Sequence, residues 1–170
     1  MKLLFSGILF FAVLSTYRAG DGDKIPATTL KTLDGKKINA KDFSNEGKPF
    51  IINFWATWCT PCKAELNNIH EVYADWQSET GVKIITISID DPRSSAKVAP
   101  YVKKQGWQYE VYLDENQDFK RNMNVNNPPQ TFLVDGTGRI VWSHTGYAEG
   151  EELQLIEQVR KLLKGEALTH

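Results

Sequence analysis

Apolar runs alternate with helix-like patterns along the chain, and three runs are almost continuously apolar and rich in β-branched or aromatic residues. They cover residues 50–55, 82–89 and 130–134, and such runs are typical of strands that are buried on both faces. From Pro61 onward, apolar residues recur every three or four positions until Gly81, a residue type that commonly ends helices. The pattern therefore predicts two neighbouring strands joined by a long helix, which is a βαβ unit.

Turn residues place two hairpins around this unit. The turn signal at 33–36 predicts a β-hairpin within residues 27–43. The tight turn at 135–138 predicts a second hairpin, whose last strand covers 139–144. Strand–helix alternation followed by a hairpin implies an α/β fold with a mixed central sheet and helices on both faces.

Further helices are expected in the second half of the chain. One is capped by Ser94 or Ser95 and runs through Gln105, and a short one covers 115–123 after a strand at 109–113. The last is an amphipathic helix near the end of the sequence. Its expected apolar side comprises Leu153, Ile156, Val159, Leu162 and Leu163.

The first residues have the pattern of a targeting segment. Residues 3–14 are apolar apart from a serine and a glycine and follow a lysine, a run shorter than the roughly 20 residues that span a bilayer. We expect residues 1–19 to be a signal peptide, with the cleavage site left open, and residues 20–170 to form a single domain. An uncleaved membrane anchor is the alternative, and in both cases the domain faces an oxidising compartment.

Composition restricts the possible functions. The net charge is −1 with mixed signs along the chain, which gives no basic face for nucleic acid. A chain of 170 residues can fold without a metal or a disulfide. It has only two cysteines, Cys59 and Cys62, and a bridge between them would add only about 2 kcal/mol by the loop-entropy estimate. Reactivity is therefore a better reason for this pair than stability.

The position of the pair suits thiol chemistry. Cys59 directly follows a buried strand and directly precedes a helix, whose N-terminus favours a thiolate. Pro61 fits the first helical turn, where its missing N–H is not needed. Cys62 is then shielded but within bonding distance. The spacing predicts that Cys59 attacks a partner disulfide and that Cys62 resolves the mixed disulfide.

Other interpretations of the pair are weaker. A zinc site needs about four ligands, whereas the chain has two cysteines and three histidines, one of them at its last position. A purely structural disulfide adds little stability, as argued above. The strand before the motif, the helix after it and the flanking Trp58 speak against a chance CxxC.

Residues 54–63 resemble the active-site stretch of thioredoxins. A more specific match is the TlpA/ResA/CcmG-like branch of extracytoplasmic thioredoxin-like proteins, whose pattern WCxPCxxE is completed here by Glu65. The branch has a helical insertion, met by about residues 92–128, and a stretch reading YGVxGxPTTFLID, to which residues 123–135 correspond. The resemblance covers about residues 25–165. It implies a thioredoxin-like fold with an N-terminal β-hairpin and a helical insertion before the cis-proline strand.

The resemblance also assigns roles to single residues. Pro129 corresponds to the cis-proline that faces the CxxC, although Pro128 before it has no N–H to pair with an extended substrate. Glu65 corresponds to an acidic residue that moves the proton of Cys62 or raises the cysteine pKa values. Asn53 stands where typical thioredoxins have a buried aspartate. The expected substrate-contact residues are Trp58, Thr60, Pro61, Pro128 and Pro129.

Several of these residues also have simpler interpretations. Glu65 lies in a first helical turn, where the helix dipole favours an acid, and Pro129 could be a trans proline that opens a strand. His144 is expected to be a surface residue of a strand rather than a catalytic base. Asn124 and Asn127 replace glycines of the family, and asparagine tolerates the left-handed backbone that glycine adopts.

We therefore expect a thiol–disulfide oxidoreductase that reduces protein disulfides outside the cytoplasm, with no bound cofactor and no metal. Its expected partners are protein thiols and disulfides and an upstream membrane or periplasmic electron donor, with no nucleic acid, and it is expected to act as a monomer. The reducing direction rests on the family resemblance. One alternative is a thiol peroxidase, which would require a Pro/Thr-rich loop before the cysteine and a nearby arginine. The other is a module that holds extended peptides near Pro129 without turnover.

Overall fold

A computed structural model describes residues 23–169, so the expected signal peptide lies outside the described residues. The strands are β1 (Thr29–Thr32), β2 (Lys37–Asn39), β3 (Phe50–Trp55), β4 (Lys83–Ser88), β5 (Glu110–Leu113), β6 (Gln130–Val134) and β7 (Ile140–Thr145). The helices are α1 (Thr60–Thr80), α2 (Val98–Gln105), α3 (Asp118–Asn122) and α4 (Glu151–Lys164), with short 3-10 turns at Ala40–Asp42 and Ser95–Lys97. The strands form one mixed sheet in the order β2-β1-β5-β4-β3-β6-β7.

Strand β3 lies in the interior of the sheet, parallel to β4 and antiparallel to β6, and all six of its residues are buried. Successive side chains point to opposite faces. On one face Trp55 contacts the rings of Tyr101 and Trp107, with centroids 5.8 and 5.0 Å away. On the other face Phe54 packs against Phe119 of α3 at 5.3 Å. Helices therefore cover both faces, which confirms the predicted α/β fold.

The strongest sequence patterns correspond to elements of the structure. Both predicted hairpins are present, as β1–β2 and β6–β7. The predicted long helix is α1, and it ends at Gly81, whose backbone is left-handed (φ 67°). The β6–β7 turn requires a glycine at 136, because a Cβ there would lie 1.9 Å from the carbonyl oxygen of Gly47.

The helical insertion differs in detail from the expectation. Helix α2 begins only at Val98, and its N-cap is Lys97 rather than the predicted Ser94 or Ser95. Ser94 lies at the N-cap of the 3-10 turn Ser95–Lys97, which precedes α2, and makes no side-chain cap hydrogen bond there. Ser94 instead donates its backbone N–H and its hydroxyl to the Asp91 carboxylate, at 3.0 and 2.8 Å, in the preceding turn. Helix α3 is shorter than the predicted 115–123 because Gln117, just before it, has left-handed backbone (φ 57°).

The apolar face of α4 was also assigned wrongly in part. Leu153 and Leu163 are 63 % and 48 % exposed, whereas Leu155 is buried. Helix α4 packs against α1, and at their surface Arg160 forms a bidentate ion pair with Glu79, with both N···O distances at 2.7 Å. This orientation turns the Leu155 side of α4 to the core. Within residues 23–169 no helix combines the length and apolarity needed to cross a bilayer.

Candidate active site

The CxxC turn lies where strand β3 passes into helix α1. Cys59 is the N-cap residue of α1, with extended backbone, and its sulfur accepts a hydrogen bond from the Cys62 N–H at 3.3 Å. Pro61 occupies the first helical turn, where no N–H is needed. The two cysteines are joined in a disulfide with their Cα atoms 5.3 Å apart. In the reduced protein the same helix N-terminus would stabilise a Cys59 thiolate.

The residues around the disulfide differ in exposure. Cys62 is completely buried, and Cys59 retains 5 % of its surface. Trp58, directly before Cys59, is 60 % exposed, and Thr60 and Pro61 after it are exposed as well. The attacking cysteine of the prediction therefore lies among exposed side chains, and the resolving cysteine lies in the core.

A buried aspartate anchors the loop before the disulfide. The Asp90 carboxylate accepts hydrogen bonds from the Thr57 N–H at 2.8 Å, the Thr57 hydroxyl at 2.6 Å and the Ser88 hydroxyl at 2.8 Å. The sequence pattern alone places Asp90 in the loop after a strand and gives it no role in the site. Its position after β4, beside the carboxyl end of parallel β3, was the available signal, because the loops at these two ends meet.

Glu65 lies below the disulfide, in a hydrogen-bonded group of three buried side chains. Asn53 Nδ2 donates to Glu65 Oε2 at 2.9 Å and to Thr131 Oγ1 at 2.8 Å. The Thr131 hydroxyl donates to Glu65 Oε1 at 2.9 Å. Elements β3, α1 and β6 thus each contribute one residue, and Asn53, which stands where typical thioredoxins have a buried aspartate, donates to the Glu65 carboxyl group.

The surroundings of Glu65 alter its acidity. Its pKa is raised to about 7, mainly because burial removes the hydration of the charged form, and the charges of Glu151 and Glu152 act in the same direction. The hydrogen bonds from Asn53 and Thr131 act in the opposite direction. A carboxyl group with this pKa can take up and release a proton near neutral pH.

The predicted cis-proline lies at the same edge of the sheet as the disulfide. The Pro128–Pro129 peptide bond is cis. Residue 130 pairs with Phe54, so Pro129 lies beside the end of β3, from which the CxxC turn starts. Ahead of it, Asn124 has the expected left-handed backbone (φ 54°), whereas Asn127 does not adopt a positive φ.

The structure thus brings Cys59, Cys62 and Glu65 together on the first turns of α1, and the strand that follows Pro129 reaches Glu65 through Thr131. Among residues 23–169 there is no group of three or more His, Cys, Asp or Glu side chains that could hold a metal ion. The arrangement suits proton and disulfide exchange.

Known proteins carry this combination of fold and motif. A sequence model of the AhpC/TSA family matches residues 22–143. The chain belongs to the AhpC/TSA family. One curated relative is the thiol-disulfide oxidoreductase ResA of Bacillus cereus (strain ATCC 10987 / NRS 248), which is 30 % identical over 165 residues, 94 % of this chain and 91 % of that protein.

Solved structures agree with this family assignment. A thioredoxin-like protein from Porphyromonas gingivalis, studied in solution, is 52 % identical, with a TM-score of 0.75 and coverage of 86 % of this chain and 95 % of that one. StoA from Bacillus subtilis is 25 % identical, with a TM-score of 0.61 and coverage of 78 % and 97 %. This member of the family is a thiol–disulfide oxidoreductase with a thioredoxin-like fold, and Cys59–Cys62 is its redox-active pair. The relatives' names favour disulfide exchange over the peroxidase alternative.

Proposed function

We propose that this family member reduces disulfides in other proteins outside the cytoplasm, with Cys59 as the attacking residue and Cys62 as the resolving one. The observation that carries the assignment of roles is the difference between the two positions. Cys59 caps α1 beside the exposed Trp58, whereas Cys62 is fully buried. An attacking thiolate must be both stabilised and accessible to a partner, and a resolving thiol needs to reach only its neighbour.

The proposed reaction has two exchange steps. The Cys59 thiolate attacks one sulfur of the substrate disulfide; that S–S bond breaks, and the other substrate sulfur leaves as a thiolate and takes a proton. Cys62 then loses its proton and attacks the Cys59 sulfur of the mixed disulfide, which releases the second substrate thiolate. Two electrons pass to the substrate, and the enzyme is left with the Cys59–Cys62 disulfide seen in the structure.

Glu65 is the proposed acceptor of the Cys62 proton. The two residues are three positions apart on α1, so their side chains lie on the same face of the helix. With its pKa raised to about 7 by burial, the carboxylate is basic enough to take the thiol proton as Cys62 attacks. The alternative, an acid favoured only by the helix dipole, does not explain why Asn53 and Thr131 bind the Glu65 carboxyl group in the core.

Substrate binding is proposed at the exposed residues of the turn, Trp58, Thr60 and Pro61, and at the half-buried Pro128 and the buried Pro129 beside it. Beside Trp58 there is a cavity of about 340 Å³, lined in addition by Thr57, Lys63, Ser94, Lys97 and Tyr101, which has room for part of a partner chain. Pro128 can accept a hydrogen bond from an extended substrate but cannot donate one, because it has no backbone N–H.

The cellular setting is part of the proposal. The apolar run at 3–14 supports export, with residues 1–19 as signal peptide and residues 20–170 as one domain. Disulfides persist in such compartments, so the oxidised pair must be reduced again by an upstream membrane or periplasmic dithiol protein. We propose that the enzyme acts as a monomer.

Cysteine variants test the order of attack. We expect Cys59→Ser to abolish the reduction of insulin disulfides by dithiothreitol that the wild-type protein catalyses. Cys62→Ser is expected to accumulate mixed disulfides with exported proteins, seen as reductant-sensitive bands of higher mass. The matched control, Cys59→Ser combined with Cys62→Ser, should form none. Full activity of Cys59→Ser, or mixed disulfides in the double variant, would contradict the assignment.

A further inference from the structure

A small cavity adjoins the buried residue Glu65. Its volume is about 10 Å³, close to what one water molecule requires. The lining includes Glu65, Thr131, Trp142, His144, Tyr147 and Glu151, which belong to α1, β6, β7, α4 and the loop before α4. Leu155 and Gln154 of α4 complete the lining, so Glu65 faces a small cavity on the side of α4 that both polar and apolar side chains line.

His144 and Glu151 join this cavity to solvent. His144 lies directly opposite Thr131 in the β6–β7 ladder, so the two side chains share one face of the sheet. Thr131 in turn contacts the Glu65 carboxyl group, as described above. His144 Nε2 lies 3.3 Å from Glu151 Oε2, and these two side chains are 35 % and 31 % exposed. One end of the arrangement is thus buried, and the other end is in contact with water.

The histidine is held in place from several sides. Its ring stacks on Trp142, with centroids 5.9 Å apart and an angle of 10° between the planes. Gln130 Nε2 donates to the His144 carbonyl at 2.9 Å. Glu151 is fixed by the Ala148 N–H, which donates to its Oε2 at 2.7 Å. The pair is therefore an ordered part of the fold.

We infer that His144, paired with Glu151, relays the proton between Glu65 and solvent during disulfide exchange. The inference rests on the proposed function, in which Glu65 takes the proton of Cys62. That proton then passes across the cavity that Glu65 and His144 both line to the imidazole and on to solvent, and Glu65 is again a carboxylate. No electrons move in this step. His144 touches no reacting sulfur, so it is a positioning residue that acts through Glu65.

Histidine chemistry and the local charges agree with this role. Imidazole is the side chain best suited to taking up and releasing protons near neutral pH. Four titratable groups lie near the proposed proton path: Glu151 and Glu152 on α4, Tyr147 in the loop before α4, and Tyr109 near Glu65. The Tyr147 hydroxyl donates to Glu152 at 2.6 Å. The negative charges of Glu151 and Glu152 favour the protonated form of Glu65.

The test is the rate at which the pre-reduced protein is oxidised by glutathione disulfide, followed by stopped-flow tryptophan fluorescence between pH 6 and 8. We expect His144→Ala to lower the rate of oxidation about tenfold. This is less than the roughly 100-fold to 10,000-fold that general acid–base catalysis typically contributes, because Glu65 itself is retained. Free imidazole should restore most of the loss. His144→Asn, which can still donate to Glu151 but cannot relay a proton, should stay slow. The control His70→Gln, on α1 away from the cavity, should match the wild type.

Glu65→Gln separates the relay from the proposed function. If Glu65→Gln is slow and the His144 variants are not, the relay is wrong and the role of Glu65 stands. If Glu65→Gln keeps the wild-type rate, both are wrong. The relay is also overturned if imidazole has no effect on His144→Ala, or if His144→Asn recovers the full rate, because a merely structural role would give that result.

Discussion

Burial is the main cause of the raised pKa of the Glu65 carboxyl group. The group is almost fully removed from water, and its two oxygens are met by an amide and a hydroxyl rather than by a cation. Neutral partners cannot offset the loss of hydration, so its pKa rises to about 7. The unfolded chain would release this proton near the ordinary value of 4.5. Between these two pH values the folded state holds the extra proton, so stability falls as pH rises.

We expect Glu65→Gln to remove this pH dependence. Between pH 4 and pH 8 the wild type should lose on the order of 3 kcal/mol of unfolding free energy relative to the variant, because the pKa rises from 4.5 to about 7 and each pKa unit is worth about 1.4 kcal/mol. Urea unfolding of the disulfide-bonded protein at each pH measures the difference.

Glu71→Gln provides the matched control for this measurement. Glu71 lies on the same helix but is exposed, so its variant should follow the wild-type pH profile. A Glu65→Gln variant with the same pH dependence as the wild type would show that folding does not raise the pKa of the buried carboxyl group.

At the scale of elements, the loops at the carboxyl ends of β3 and β4 act together. Asp90, from the second loop, holds Thr57 in the first, two residues before Cys59. The active cysteine therefore depends on β4 as well as on its own helix. Position within an enzyme site matters strongly, since small displacements of a reacting group can cost large factors in rate.

Asp90→Ala is expected to lower both stability and activity. The variant leaves the Thr57 N–H and the Ser88 hydroxyl without their acceptor, which should lower the free energy of unfolding by about 1–3 kcal/mol. Because the turn that carries Cys59 is then less well fixed, the rate of insulin reduction should fall about tenfold. The measurements are urea unfolding and the insulin assay. Asp91→Ala is the control, because the neighbouring Asp91 is exposed and bonds only within its own surface turn. Equal effects of the two variants would refute an anchoring role for Asp90.

Periodicity predicted the elements better than it predicted their faces. Helix α1 follows from its three-to-four repeat, and strand β3 follows from a short apolar run that is rich in β-branched and aromatic residues. In α4 two overlapping stripes are apolar, one through Leu153 and one through Leu155. Only the packing of α4 against α1 decides between them, and that contact is made by residues about 80 positions apart in the chain.

At the scale of the whole molecule, the active site divides into a local part and an assembled part. The CxxC turn is contiguous, so the motif and the helix that follows it revealed it. The group around Glu65 comes from α1, β3 and β6, and His144 joins it only because β7 pairs with β6. No local pattern carries that information. His144 was therefore expected to be an ordinary surface residue, whereas the structure places it on the cavity beside Glu65.

The reduction potential of the Cys59–Cys62 pair tests the proposed direction of electron flow most directly. The measurement is a redox titration against glutathione, with trapping of the free thiols, and Cys59→Ser as the control that has no two-electron transition. If the protein is a reductase, the reduction potential of the pair should lie towards the thioredoxin end of the known range, below about −200 mV and near −270 mV. A potential above about −150 mV would show that the pair is an oxidant and would contradict the proposed function.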